Sequence, residues 1–312
     1  MAGATTSTHS AIVKPNVHQE ISDAVFRNSD FIPLFRQVNS GGGSSYDVKV
    51  VTAANGSAEV YVEDQNVPDP GYQQVITAGA SFKHFRVFTR VTGHLRRQVG
   101  ADWDSQSWPG AYGGSDVEMA KAKEDLVDLV NTTFLGTAAH GVQGIIDAST
   151  AFYDQSRSTY TALKSYEKAG SAALSAALMD RLVHETYNAP YGGRIQLLLM
   201  PPAQARKYSA LIHGKLALPS AGDAAGSGAA MLPPWAGIPA LEVRDLAATV
   251  ILGLSGLDSA WFFVVHEPAP GGISILPYGV QADAKINQIS TAGALICTQP
   301  NAQGKLTTLG TT

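Results

Sequence analysis

Residues 115–136 read SDVEMAKAKEDLVDLVNTTFLG, the longest uninterrupted helical signal in the chain. Ser115 and Glu118 have the spacing of a capping box, in which hydroxyl and carboxylate each satisfy one orphan amide of the first turn. Gly136 is expected to stop the helix in the left-handed conformation that only glycine enters freely. At roughly 100° per residue, Met119, Ala120, Ala122, Leu126, Val127, Leu129, Val130 and Phe134 share one half of the wheel, interrupted only by Lys123. Glu118, Lys121, Glu124, Asp125 and Asp128 occupy the other half. The pattern predicts a rod with one buried and one solvated side, carrying no catalytic arrangement.

Just upstream, residues 70–101 contain no acid, while Lys83, Arg86, Arg90, Arg96 and Arg97 accumulate with His84 and His94. Such a run fits either a nucleic-acid face or an acidic protein partner. Without interleaved exposed aromatics or an RNA-binding signature, the acidic partner is preferred. Asp102 and Asp104 could begin a metal site, but two loop carboxylates without further oxygen ligands do not make one. Strand-like segments at 47–52, 58–63 and 81–92, with turn signals at Asn55-Gly56 and around Pro68 and Pro70, predict a long antiparallel excursion. Both its faces are half polar, so it is expected to project from the body without a core of its own. The glycines at 41–43 read as a hinge, because no Gly-Lys-Ser/Thr follows. Before them lies a polar, unpatterned start and an arm bearing Val17, Ile21, Ala24, Val25, Phe31, Leu34 and Phe35, which must lie on the body or on a neighbour.

Downstream of the rod, residues 149–166 read as a polar connection and residues 171–187 as a second helix with Leu174, Ala177, Leu178 and Leu182 on one face. Residues 195–200 suit a strand buried on both faces, and Pro201-Pro202 opens a third helix over 203–212. Residues 218–234 read as a mobile loop. Strands are then expected at 238–243, 260–266, 273–276, 280–289 and 294–298, in a mixed sheet with hairpins.

Composition limits the function. Of 312 residues only 15% are charged, against ~25% in an average soluble protein, while 31 are glycine and 45% hydrophobic. A compact enzyme with a neutral exterior and a subunit that buries its surface against copies of itself both fit. A net charge of −4 argues against affinity built on phosphate neutralisation. The single cysteine, Cys297, excludes an internal disulfide and lies in an apolar run, where a buried structural thiol is expected. No apolar run approaches the ~20 residues that span a bilayer, and the start lacks a signal-peptide core, so synthesis in the cytoplasm without a membrane partner is expected. There is no nucleophile elbow, zinc-protease pair, Walker sequence or dinucleotide fingerprint. His184-Glu185 and His266-Glu267 stand without completing groups. No catalytic residue, cofactor or metal is expected.

The order of parts resembles the major capsid protein of tailed bacteriophages, with its Hong Kong 97 fold. Residues 12–21 (IVKPNVHQEI) are similar to the family's N-arm, 47–92 to its E-loop hairpin and 115–135 to its spine helix. Residues 197–208 (LLLMPPAQARKY) resemble a strand and helix of the axial domain, 237–245 (GIPALEVRD) a Gly-x-Pro-Val strand, and 292–302 (AGALICTQPNA) the closing strand. The resemblance implies an α+β chain divided into N-arm (1–40), E-loop hairpin (41–97), peripheral domain with spine helix (98–160), axial α/β domain (161–270), peripheral-domain strands (271–292) and a return to the axial domain (293–312).

It also implies a non-enzymatic shell subunit that assembles with itself into pentamers and hexamers and ends in the virion. Portal and scaffolding proteins, possible decoration proteins and non-specifically contacted double-stranded DNA are the implied partners. Val17, Ile21, Phe31, Phe35, Lys83, Arg86, Arg90, Arg96 and Arg97 are the expected inter-subunit contacts. Some members crosslink through an E-loop lysine; residues 63–74 contain none, so no crosslink is expected. The chain is expected to begin at the arm, leaving a separate scaffolding protein or a cleaved precursor open. An encapsulin shell would share this fold and enclose enzymes, and a cytoplasmic α/β enzyme is the remaining alternative.

Overall fold

The computed structural model describes residues 31–40, 43–53, 74–92, 114–170, 173–188, 190–213, 231–266, 274–281 and 284–311. In chain order the strands and helices are β1 (Arg36–Asn39), β2 (Ser45–Ala53), β3 (Gln74–Ser81), β4 (Lys83–Thr92), α1 (Gly114–Leu135), α2 (Val142–Ile145), β5 (Tyr166–Ala169) and α3 (Ala176–Tyr187). They continue with β6 (Ile195–Met200), α4 (Pro202–His213), β7 (Met231–Trp235), β8 (Ile238–Glu242), β9 (Ile251–Ser255), β10 (Trp261–Val265), β11 (Ser274–Gln281), β12 (Ala284–Cys297) and β13 (Gly304–Thr307). Among the described residues there are three sheets. The first runs β1-β10-β12-β11 with β4 also on β12, the second runs β5-β13-β9-β6-β8-β7, and in the third β2 pairs with β3.

The rod is α1. Ala122, Leu126, Val130 and Phe134 recur every fourth residue and are buried, joined by Leu135 and Asn131 one row over. Phe134 meets Phe85 of β4 and Phe263 of β10 edge-on, at ring separations of 5.8 and 5.2 Å. The buried stripe is narrower than the apolar half of the wheel, because a flat sheet touches a cylinder along one line. Leu129 is left 44% exposed. The capping-box side chains lie outside the described residues. Gly136 does not adopt the left-handed conformation expected of it. The helix closes instead with a tightened turn, Gly136 N–H to Thr133 O at 3.3 Å, and with the buried Gln143 amide donating to Leu135 O. The chain then turns back tightly enough that a Cβ on Gly141 or Gly144 would strike the backbone of Gly136 or Ala138.

The hairpin departs from expectation at its return strand. β3 supplies it, pairing Ser45 with Ser81 through Ala53 with Gln74, whereas β4 leaves the hairpin at Phe82 and joins β12. Residues 58–63 lie outside the described residues. Nor is the hairpin coreless: Val48, Val50, Ala78 and Ala80 are buried in the main core. Period-two alternation places these four on one face, and that face has the body to rest on.

β6 is the buried central strand expected, and α4 follows it to carry the chain over to the parallel β8. The loop expected over 218–234 is a strand from Met231 onward, and its prolines fit because β7 is the sheet edge, where a missing N–H costs no ladder bond. α3 starts after the Ser175 N-cap and buries Met179, Leu182 and Thr186, while Ala177 is exposed. Residues 280–281 of the strand expected at 280–289 end β11; the rest of it and the strand expected at 294–298 are one, β12, running through Gly293 against three partners. Consequently the chain re-enters the first sheet at β10, earlier than the division placed at residue 270, and stays there past residue 292. β1, β5, β9 and β13 are strands outside the segments expected from the sequence.

Candidate assembly surfaces

Residues 143–167 tie the two large sheets together. Lys305 of β13 donates to Asp147 Oδ2 at 2.7 Å and to Gln143 O at 3.3 Å, and lies 3.4 Å from Glu167 Oε1. Asp147 Oδ1 accepts the amides of Ser149 and Thr150, both at 2.7 Å. Burial alone would raise this carboxyl; the Lys305 hydrogen bond and those two amides outweigh it and hold the group well below the usual carboxylate range. The buried Arg157 donates to Ile145 O and to Ser165 Oγ at 3.3 Å, and sits 5.6 Å from the Phe152 ring centroid. Burial pushes its guanidinium down to about 10, still cationic at neutral pH.

Tyr153 closes a different gap. β4 covers one side of β12 only as far as Gly293. Beyond it, the Tyr153 hydroxyl donates to Leu295 O and accepts from Cys297 N–H, both at 3.0 Å, so a phenol stands where a strand would continue. Tyr153 has φ +54°, and the next two residues reach the hairpin, Asp154 accepting from Gly79 N–H and Gln155 donating to Thr77 O. Burial raises the phenol well above its usual value and pushes the Cys297 thiol up to about 12. A polar connection in sequence is thus a buried structural tie, with no nucleophile poised beside a base.

Of the expected contact residues, Val17, Ile21, Arg96 and Arg97 lie outside the described residues. Phe31 and Phe35 are 2% and 3% exposed, stacked edge-on at 5.0 Å, with Phe35 5.6 Å from Trp261. They belong to this chain's own core, a correction explained by β1: its parallel pairing with β10 carries the arm's end into the first sheet. The basic run is divided by strand alternation. Lys83 falls on the same face as Phe85, toward α1, where its charge, after burial, helps lower the His140 pKa. Arg86 and Arg90 fall on the opposite face.

That opposite face and the outer face of the hairpin hold the exposed features of note. Arg86 is exposed and lies 5.5 Å from the Phe88 ring centroid. Val51 and Val75, directly opposite in register, are 51% and 54% exposed. Beside the second sheet, Tyr187 is 64% exposed at the end of α3. Among the described residues no group of three metal-ligating side chains is close enough to hold an ion, and no helix is long and apolar enough to cross a membrane.

No protein-family profile matches the chain, and no curated protein sequence is similar to it. Solved structures are similar along its whole length. The capsid asymmetric unit of cyanophage A-1(L) has a TM-score of 0.67 at 13% identity, covering 98% of this chain and 99% of that one. The holo-SrpI encapsulin of Synechococcus elongatus PCC 7942 has 0.62 at 12%, covering 100% and 98%. The capsid of a native GTA particle has 0.61 at 15%, covering 99% and 100%. The chain has the Hong Kong 97-type α+β fold shared by these shells.

Proposed function

We propose that this chain is the major capsid protein of a tailed phage, a subunit that assembles with itself into the icosahedral head around double-stranded DNA. The observation that carries the reading is full-length likeness to a phage capsid subunit, with 98% of this chain and 99% of the other superposed. The residue chemistry supports it. The buried ionic groups tie sheets together, and the exposed features include the Val51–Val75 pair of the hairpin and Arg86 on the uncovered face of the first sheet, which suits subunit contact better than turnover. Portal, scaffolding and decoration proteins would join from outside the chain, and DNA would be met without base reading. Arg86 and Arg90, with Val17, Ile21, Arg96 and Arg97, remain the proposed contact set. Synthesis in the host cytoplasm and residence in the virion follow from the same reading.

The test is expression alone and with the neighbouring genes, followed by sedimentation and negative-stain microscopy. Closed particles or capsomers are expected; a monomer that stays folded at high concentration overturns the reading. An encapsulin shell is the second reading, favoured by the nearly equal likeness to holo-SrpI. Particle contents separate the two, nucleic acid for a head and a protein cargo for a compartment.

A further inference from the structure

We infer that residues 152–155 form a latch that fixes the pose of the β2–β3 hairpin on its own chain, and that Asp47 opposes this latch. The inference goes beyond the shell reading above and does not depend on it. A latch needs a fixed end. Phe152 and Gln155 exchange both backbone hydrogen bonds at 2.9 Å, closing a tight turn with Tyr153 and Asp154 at its centre. Tyr153 there has φ +54°, a conformation that glycine enters freely and tyrosine does not. What holds it is the hydroxyl, seated at 3.0 Å from both Leu295 O and Cys297 N–H on β12. Phe152 is wholly buried, with the Arg157 guanidinium over its ring. The turn is thus anchored to the first sheet and does not travel with the hairpin.

The catch is the outward part of the same turn. Asp154 Oδ1 accepts from Gly79 N–H at 2.9 Å and Gln155 Nε2 donates to Thr77 O at 3.1 Å, so two peptide groups of β3 are met by side chains. Burial of Val48, Val50, Ala78 and Ala80 also holds the hairpin down, but that contact is made by small side chains and has no preferred direction. It resists lifting more than sliding, whereas the two directional hydrogen bonds set where along the body the hairpin rests. At the root, Gly43 has φ +99° on one side and Phe82 stacks on His266 at 4.4 Å on the other. The hairpin turns about that root, and the latch, a few residues further out at Thr77 and Gly79, sets its angle. Asp47 works against this hold. It lies opposite Gly79 in register, and a Cβ placed on Gly79 would be 3.5 Å from Asp154 Oδ2 and 3.8 Å from Asp47 Oδ1. Two exposed carboxylates therefore flank one glycine, and their repulsion limits the latch without abolishing it.

Nitroxide labels at V51C and K168C, exposed positions on the hairpin and on β5, read the pose by pulsed dipolar spectroscopy. The labelled chain is diluted in unlabelled chain, so that only distances within one copy count, and Cys297, 0% exposed, stays unlabelled in native protein. With no other change a single narrow distance is expected, and a broad distribution overturns the inference. D154A/Q155A should raise the displaced fraction at least about tenfold; a distribution unchanged from the labelled parent overturns the inference as well. D154N keeps an acceptor for Gly79 N–H and should hold the parent distance, which separates a lost catch from a damaged fold. Displacement in D154N as large as in D154A/Q155A overturns the inference too. Q155A alone retains one of the two bonds. Adding D47N to it should lower the displaced fraction about threefold at low salt, and no reduction overturns the opposing role of Asp47.

Discussion

Replacing Lys305 by methionine should destabilise the chain far more than loss of an ordinary surface charge pair. The Lys305 and Asp147 side chains are 6% and 14% exposed and 2.7 Å apart. Exposed pairs contribute ~0–1 kcal/mol, whereas removing one partner of a buried pair costs ~3–5 kcal/mol because the other charge is stranded. Here the stranded groups are two, Asp147 and Glu167, with Arg157 as the remaining nearby cation. Asp147 keeps its two backbone amides, which places the expectation at about 3 kcal/mol. For a chain of this size that is a fall of roughly 6–12 °C in the thermal midpoint, using ~2–4 °C per kcal/mol. The assay is calorimetry of unassembled protein, so that assembly does not mask the loss.

K305M/D147N should recover part of the deficit, because the side-chain carbonyl of the introduced asparagine can still accept the two backbone amides and only Glu167 is left as a stranded charge. pH supplies a second check. The folded Asp147 carboxyl lies below its unfolded value, so its stabilisation is complete above the ordinary carboxylate pKa, ~4, and is lost as pH falls through the acidic range. The wild type should therefore lose more stability between pH 5 and pH 3 than K305M does. A K305M midpoint within a degree of wild type, with equal acid sensitivity, refutes the reasoning.

Tyr153→Phe removes the hydroxyl that bridges Leu295 and Cys297 and should cost about 1–3 kcal/mol; amide exchange at Cys297 should quicken, and unchanged exchange would contradict the strand-substitute role. The Cys297 thiol, buried and pushed up to about 12, should resist alkylation at pH 8 until the protein is denatured, and rapid labelling of native protein would contradict its burial. Along α1, Phe134→Ala should cost about 3–5 kcal/mol while Leu129→Ala stays within ~0.5; thermal unfolding of the two variants reads which stripe is buried.

The failures of the sequence reading have a common cause. Residues 149–166 are polar, and nothing local shows that Arg157 and Ser165 are buried, with Ser165 donating to Pro300 O more than a hundred residues along the chain. β5 and β13 are four residues each, too short for a period to register, and form because each finds a partner in the other. The Phe31 and Phe35 rings looked unpartnered because Trp261 is far along the chain.

What the amino-acid order determined by itself is what local periodicity and turn chemistry can specify: the rod, the central strand β6 with the helix after it, the outgoing strand of a hairpin ahead of the rod and the buried cysteine. Those features depend on neighbours within a few residues. Only the tertiary structure decided which strand closes the hairpin, where the chain crosses between sheets, that Tyr153 completes the edge of β12, and that the basic run divides between a covered and an open face. Each of these depends on which distant strand lies alongside, and strand pairing is settled by the burial of whole faces rather than by any short stretch.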